Sequence, residues 1–324
     1  MNKRFYLGLL YIASITFIAY VLGDLIMGFS TIIWALLLGL IAGNIFNLNK
    51  RIPKALIFGE KQLLASAIVL LGFQLDVMVI QNYIWMLPIL IVMIIASIFL
   101  SVKLAPRFGV DKECGLLLGA GNAICGTSAI ATLAPVINAK NYQTAVSISV
   151  IHVLGTVALL AIPVLIPILP IEDKSWGIIT GGTFQAVGQA IGAGYTVSLS
   201  AGELATIIKL TRVLMLAPVV LFFTLRNKKE AQSAGQVKFP LFIYGFIIAI
   251  VIGNFTKELP FMATLAYAQE VLLVAAMVAI GSKIFYKDLL VSGPKALKLG
   301  LFIFILQIGF ISMFIWVKQM LFQS

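Results

Sequence analysis

Apolar runs long enough to cross a bilayer recur from one end of this 324-residue chain to the other. A spanning helix needs about 20 predominantly apolar residues. Segments near 5–22, 29–46, 62–80, 85–102, 115–138, 143–169, 176–198, 203–225, 240–256, 265–284 and 297–317 approach or reach that length. Backbone in lipid must satisfy its own hydrogen bonds, and continuous apolar runs of this length do so as helices. Only 11% of the residues are charged and 61% are hydrophobic, whereas soluble domains carry about 25% charged residues. The chain therefore reads as an all-α polytopic membrane protein, with 1–324 as a single transmembrane domain. The run at 1–22 lacks a small-residue cleavage site and another span follows at once, so an extra, retained N-terminal helix is expected.

The net charge of +11 is not read as a nucleic-acid footprint. Lys and Arg collect on cytoplasmic loops of membrane proteins. Placing KRIPK (50–54), KLAPRFGVDK (103–112), RNKKE (226–230) and the 283–298 region inside puts the N-terminus inside as well. The acidic turn IEDK (171–174) then depends on 115–138. It falls in the cytoplasm if that segment crosses, and outside if the segment enters and leaves on one face.

Internal similarity bears on that choice. AVSISVIHVLGTV (145–157) aligns with ATIIKLTRVLMLA (205–217) at an offset of 60. WALLLGLIAGN (34–44) aligns with YGFIIAIVIGN (244–254) at 210, and LLASAIVLLGFQL (63–75) with LLVAAMVAIGSKI (272–284) at 209. The order is A-B-B′-A′, with scaffold repeats at 29–102 and 240–317 and core transport repeats at 115–169 and 176–225. Transporters commonly use repeats of inverted topology. Inverting the B pair requires each glycine-rich segment to be re-entrant. The expectation is about nine spanning helices plus two opposed hairpins, with the N-terminus in and the C-terminus out. The alternative is about eleven spans, two of them broken crossing helices.

The first glycine-rich segment, GAGNAICGTSAIATLAP (119–135), is built to interrupt a helix. Non-helical backbone at membrane depth is tolerated only where protein or a wet cavity surrounds it. Helix N-termini aimed at such a break make an anion site without side-chain charge. Asn122, Cys125, Gly126, Thr127 and Ser128 are the candidates there. Thr183, Gln185 and Gln189 are their counterparts in GGTFQAVGQAIGAG (181–194), where Gln185 and Gln189 can share a helical face. The plain alternative for both segments is helix packing by small and hydroxylated residues.

Lys209 and Arg212 lie inside a span, where charge is costly unless it meets a cavity or a partner. Three residues apart, they share a face and could grip an oxyanion. Structural pairing with Asp76 or Glu270, or snorkelling of Lys209, are the other readings. His152, the only histidine, matches Arg212 in the repeat. It is a coupling candidate, with hydrogen-bonded packing as the plainer role. Cys114 and Cys125 are not flanked by a metal-ligand pattern. No catalytic triad, carboxylate pair, phosphate loop or metal cluster is visible, so neither an enzyme nor a cofactor is expected.

GEKQLLASAIVLLGFQLD (59–76), GAGNAICGTSAIATLAPVI (119–137) and IIKLTRVLMLAPVVL (207–221) resemble the YeiH-type family of bacterial inner-membrane proteins, in order and over nearly the whole chain. The resemblance implies a multi-pass protein of the bacterial cytoplasmic (inner) membrane and export of sulfate or related sulfonates. Two departures stand out. Asn122 and Ala123 replace a serine-rich entry to the first turn. Gln185 and Ala186 stand where relatives carry His followed by Glu or Asp, which removes any titratable coupling role of that pair. The expected function is secondary transport of a small anion, such as sulfate or an organosulfonate, by alternating access. Substrate would bind between the hairpin tips, and the B-B′ core would move against the A-A′ scaffold. An anion channel and a carrier of small carboxylates are the alternatives. The expected partners are the anionic substrate and the lipid bilayer, with a homodimer left open and no nucleic acid.

Overall fold

The computed structural model describes residues 3–25, 31–75, 77–226, 241–256, 261–284 and 293–322. Asp76, most of RNKKE and much of the 283–298 region lie outside these residues. The described chain is helical, with no strand among the described residues. We number the main helices α1 (Lys3–Leu25), α2 (Thr31–Ile45), α3 (Pro53–Gly72), α4 (Met86–Leu104), α5 (Lys112–Ala123), α6 (Thr127–Val136) and α7 (Asn141–Leu165). They continue as α8 (Asp173–Thr183), α9 (Val187–Val197), α10 (Leu199–Leu214), α11 (Leu216–Arg226), α12 (Leu241–Thr256), α13 (Met262–Lys283) and α14 (Pro294–Phe322). Among the described residues, seven helices are long and apolar enough to span a membrane: α1, α3, α4 through Phe108, α7, the α10–α11 run, α13 and α14 through Met320. The chain is an all-α, multi-pass membrane protein.

The chain divides into two compact units, 1–82 with 240–287 and 83–239 with 288–324. In the first, glycines let helices touch backbone to backbone, as small residues do in membranes. Gly39 and Gly43 of α2 face Val278 and Ser282 of α13, and Gly281 faces Leu36. Gly72 of α3 faces Phe246 and Ala249 of α12, and Gly253 faces Phe73. These two sets of contacts follow the sequence offsets of 209 and 210. Helix α1 adds Tyr11, whose hydroxyl bonds Ser282 Oγ at 2.8 Å.

The second unit holds both glycine-rich segments. Helices α4 and α14, which the sequence reading assigned to the scaffold repeats, belong here. Gln307 of α14 donates to Ser97 of α4 at 2.9 Å. Gly115 and Gly119 of α5 pack on Ser97, Ile98 and Ser101 of α4 and on Ala105 just beyond its end.

Two hairpins define this unit. Helix α5 begins beside the start of α7: Gln143 donates to Asp111 at 3.0 Å, Tyr142 bonds the same carboxylate, and Cys114 meets Ser147 at 3.4 Å. Both helices run the same way, since Gly121 reaches Ile151. The intervening α6 must therefore lead back, and 112–136 is a hairpin. Its longer arm has 12 residues, about 18 Å at 1.5 Å per residue, well short of a roughly 30 Å hydrocarbon core. The second segment repeats the pattern. Gly177 and Gly181 of α8 face Ala201 and Ala205 of α10, so these helices run in parallel. Gly194 of the returning α9 faces the same Ala201–Ala205 stretch. The first hairpin starts at the N-terminal end of α7. The second follows its C-terminal end.

Candidate functional site

The breaks fall 60 residues apart. Ile124 and Phe184 end α5 and α8, and Gly126 and Ala186 precede α6 and α9. Gly126 has φ 67° and ψ −124°, a conformation only glycine adopts cheaply. It turns the first tip against the second: a β-carbon at Gly126 would stand 3.5 Å from the carbonyl of Gln185. The N-terminal ends of α6 and α9 thus begin side by side. Their first N–H groups have no partner within their own helices.

The carbonyl ends of α5 and α8 meet here too, and Lys209 and Arg212 hold them. Lys209 Nζ donates to Ile124 O at 2.8 Å, to Phe184 O at 2.7 Å and to Gln185 O. Arg212 Nε donates to Ala123 O at 2.9 Å, and Nη2 to Asn122 O at 2.6 Å. Its Nη1 donates to Gly181 O at 3.0 Å and Phe184 O at 2.9 Å. Both residues are fully buried at 0% exposure. Cations at helix C-termini are favourably placed against the macrodipole. The one ion pair among the described residues, Lys283 with Glu60, lies elsewhere. Asp76, a partner considered from sequence, falls outside the described residues.

Side chains tie the tips as well. Gln185 Nε2 donates to Asn122 Oδ1 at 2.9 Å, and Asn122 Nδ2 donates to Leu118 O and Gly300 O at 3.1 and 3.4 Å. Gln185 Oε1 is buried without a partner. Gln185 lies in the break itself, because α9 begins only at Val187. The helical face expected for Gln185 and Gln189 is therefore not formed. Gln189 instead accepts from Ala186 N at 3.2 Å, capping α9, and rests on Gly155 of α7. Thr183 is spent on its own helix, donating to Ile179 O at 2.7 Å. Cys125 is a buried free thiol in the first break. Thr127 is half-buried and Ser128 exposed at the start of α6, so these hydroxyls are the accessible ones. His152 is exposed on α7, next to Ile151, which packs on Gly126. Gly155 and Gly300 are contributors that sequence reasoning passed over, because a single glycine in an apolar stretch carries no motif. A cavity of about 1020 Å³, walled mainly by α4 and α11, is lined by none of these residues.

At the base of the first hairpin, the bonds from Tyr142 and then Gln143 hold the Asp111 carboxyl below its usual range.

These features define a multi-pass membrane protein with two broken-helix hairpins joined tip to tip around buried cations. The chain belongs to the family described as Conserved hypothetical protein 698, the YeiH/UPF0324 family, which matches residues 7–300. The resemblance read from the three motifs holds. A UPF0324 membrane protein of Bartonella henselae is 33% identical over 272 residues, covering 82% of this chain and 78% of its own. One from Listeria monocytogenes is 32% identical, covering 82% of each. One from Clostridium perfringens is 30% identical and covers 95% of both chains. No solved structure matches the chain.

Proposed function

We propose that this protein is a secondary transporter of a small anion, such as sulfate or an organosulfonate, working by alternating access in the bacterial inner membrane with its N-terminus in the cytoplasm. One observation carries the reading: two fully buried cations, bonded only to carbonyls, stand at the point where two helix N-termini begin. Carbonyl dipoles solvate these charges but do not neutralise them. The N–H ends of α6 and α9 add partial positive charge. An anion seated there would gain from both sources without meeting a carboxylate.

Lys209 and Arg212 act through their field in this proposal. All three Lys209 donors and four of the five of Arg212 are engaged, so direct contact falls to the amides of α6 and α9, Thr127 and Ser128. The duplicated contacts at offsets of 60 and 209–210 support an inverted repeat, the usual basis of alternating access. The reaction needs no cofactor and no bond chemistry.

The test is counterflow in proteoliposomes. Preloaded unlabelled sulfate should accelerate uptake of labelled sulfate. Flux indifferent to preloading would identify a channel. No flux of sulfate, sulfoacetate or taurine, with flux of a small carboxylate, would move the substrate class.

A further inference from the structure

The Lys209 ammonium sits in a ring of main-chain carbonyls drawn from both breaks: Ile124 O, Phe184 O and Gln185 O. Three acceptors require three N–H donors, which the charged ammonium has. Nζ lies 2.7–2.8 Å from the first two oxygens, and both Lys209 and Gln185 are fully buried. Ion-coupled carriers use such unwound carbonyls and half-helix C-termini to coordinate a free cation. Rings of carbonyl oxygens likewise replace the hydration shell of potassium. The acceptor set around Nζ is therefore that of a monovalent-cation site, occupied by a cation tethered to α10.

Two details separate this cradle from an ordinary C-terminal cap. First, Gln185 Oε1 is a buried acceptor with no donor, on a residue that already supplies one of the three carbonyls. A lysine has no fourth N–H to offer it, whereas a metal cation takes more than three ligands. Second, Arg212 independently braces Asn122, Ala123, Gly181 and Phe184. The segments that carry the cradle oxygens are thus held by a residue other than its occupant.

We propose that the Ile124–Phe184–Gln185 cradle is a latent sodium or potassium site in which the Lys209 ammonium replaces the free ion. The wild-type tips then assemble without any soluble monovalent cation. The inference goes beyond the anion reading and does not depend on which anion, if any, is carried.

The test is thermal unfolding of purified wild type and Lys209→Met in sodium, potassium or N-methylglucamine chloride at equal ionic strength. Methionine keeps the volume and removes the charge. The variant should gain several degrees, saturably, in sodium or potassium over N-methylglucamine, and the wild type should show one midpoint in all three. A folded variant indifferent to cation, or a wild type that shifts as much, overturns the proposal. A second measurement needs only wild-type tips: the rate of Cys125 alkylation in a Cys114→Ser background. Equal rates in sodium and N-methylglucamine support the tethered ion. Marked slowing by sodium shows that a free ion completes the site and sinks the idea.

Discussion

Asn44 and Asn254 are held by the same pair of bonds. Asn44 Nδ2 donates to Leu40 O at 2.9 Å and to Ile284 O at 2.8 Å. Asn254 Nδ2 donates to Ile250 O at 2.8 Å and to Leu75 O at 3.0 Å. Each side chain reaches back one turn and across to a carbonyl near the end of the partner helix. Replacing either by Leu keeps the volume and orphans that carbonyl. The expected cost is about 1–2 kcal/mol each, near-equal for the two sites because the environments match. Thermal or denaturant unfolding of the single variants checks this, and a large effect at only one site would show the equivalence to be superficial.

Gly126 and Gly109 both have φ 67°, but only Gly126 combines it with ψ −124°. Gly109, at ψ 38°, is left-handed helical, a region Asn tolerates. Gly109→Asn should therefore be nearly neutral. Gly126→Ala should cost about 1–3 kcal/mol and part the tips. Matching stabilities for the two variants would show that the first tip can relax into another conformation.

The location of the breaks was legible in the sequence, because glycine crowds with Asn, Thr and Ser at 119–128, and with Thr and Gln at 181–189, inside otherwise apolar helices. So was the inward aim of Lys209 and Arg212, since exposing them to lipid would be costly. Their partners were not legible. Every residue carries a carbonyl, so a clamp of side chain on backbone leaves no residue signature, whereas acids such as Asp76 and Glu270 stand out in an apolar sequence. The placement of α4 beside the first hairpin was missed for a different reason. Hydropathy finds spans but not neighbours. The signal was present in Ser97, Ser101 and Ala105, small residues one turn apart that receive Gly115 and Gly119.

Arg212 separates a structural clamp from a substrate grip. Its four described bonds all reach main-chain oxygens of the two hairpins. Lysine cannot reproduce a planar fork. Arg212→Lys should lose several of these bonds, at about 1–3 kcal/mol for each buried carbonyl left unpaired, and fall in folded yield. Thr183→Ala loses one bond within its own helix and should cost about 1 kcal/mol. Size-exclusion profiles of the two variants decide it. A well-folded Arg212→Lys protein that merely binds anion weakly would return Arg212 to the substrate.

Asp111 gives the first hairpin a pH-dependent tie. Its carboxyl is held below its ordinary value of 3.8 by Tyr142 and Gln143. A depressed carboxylate contributes its stability above the unfolded value and loses it as pH falls through the lower, folded one. The wild type should therefore lose a small increment of thermal stability as pH drops below about 4. Asp111→Asn should lack that increment at neutral pH and show a flatter acid limb. Superimposable profiles would mean that this exposed contact does not secure the hairpin.

The two hairpins should enter the membrane from opposite faces. Lys112 and Lys140 bracket the first hairpin, and the bond between Gln143 and Asp111 places its two ends together. Glu172 and Ser200 bracket the second, and the parallel packing of α8 on α10 does the same there. Between them runs α7, whose 25 residues give about 38 Å, enough to cross a bilayer. All four positions are exposed. Single cysteines at these sites, in a background with Cys114 and Cys125 replaced by Ser, should label in pairs with an impermeant thiol reagent. Lys112→Cys and Lys140→Cys should react from the cytoplasm, and Glu172→Cys and Ser200→Cys from outside. If 112–136 crossed the membrane, Lys112→Cys and Lys140→Cys would label from opposite faces, and the hairpin would have to be abandoned in favour of a broken spanning helix.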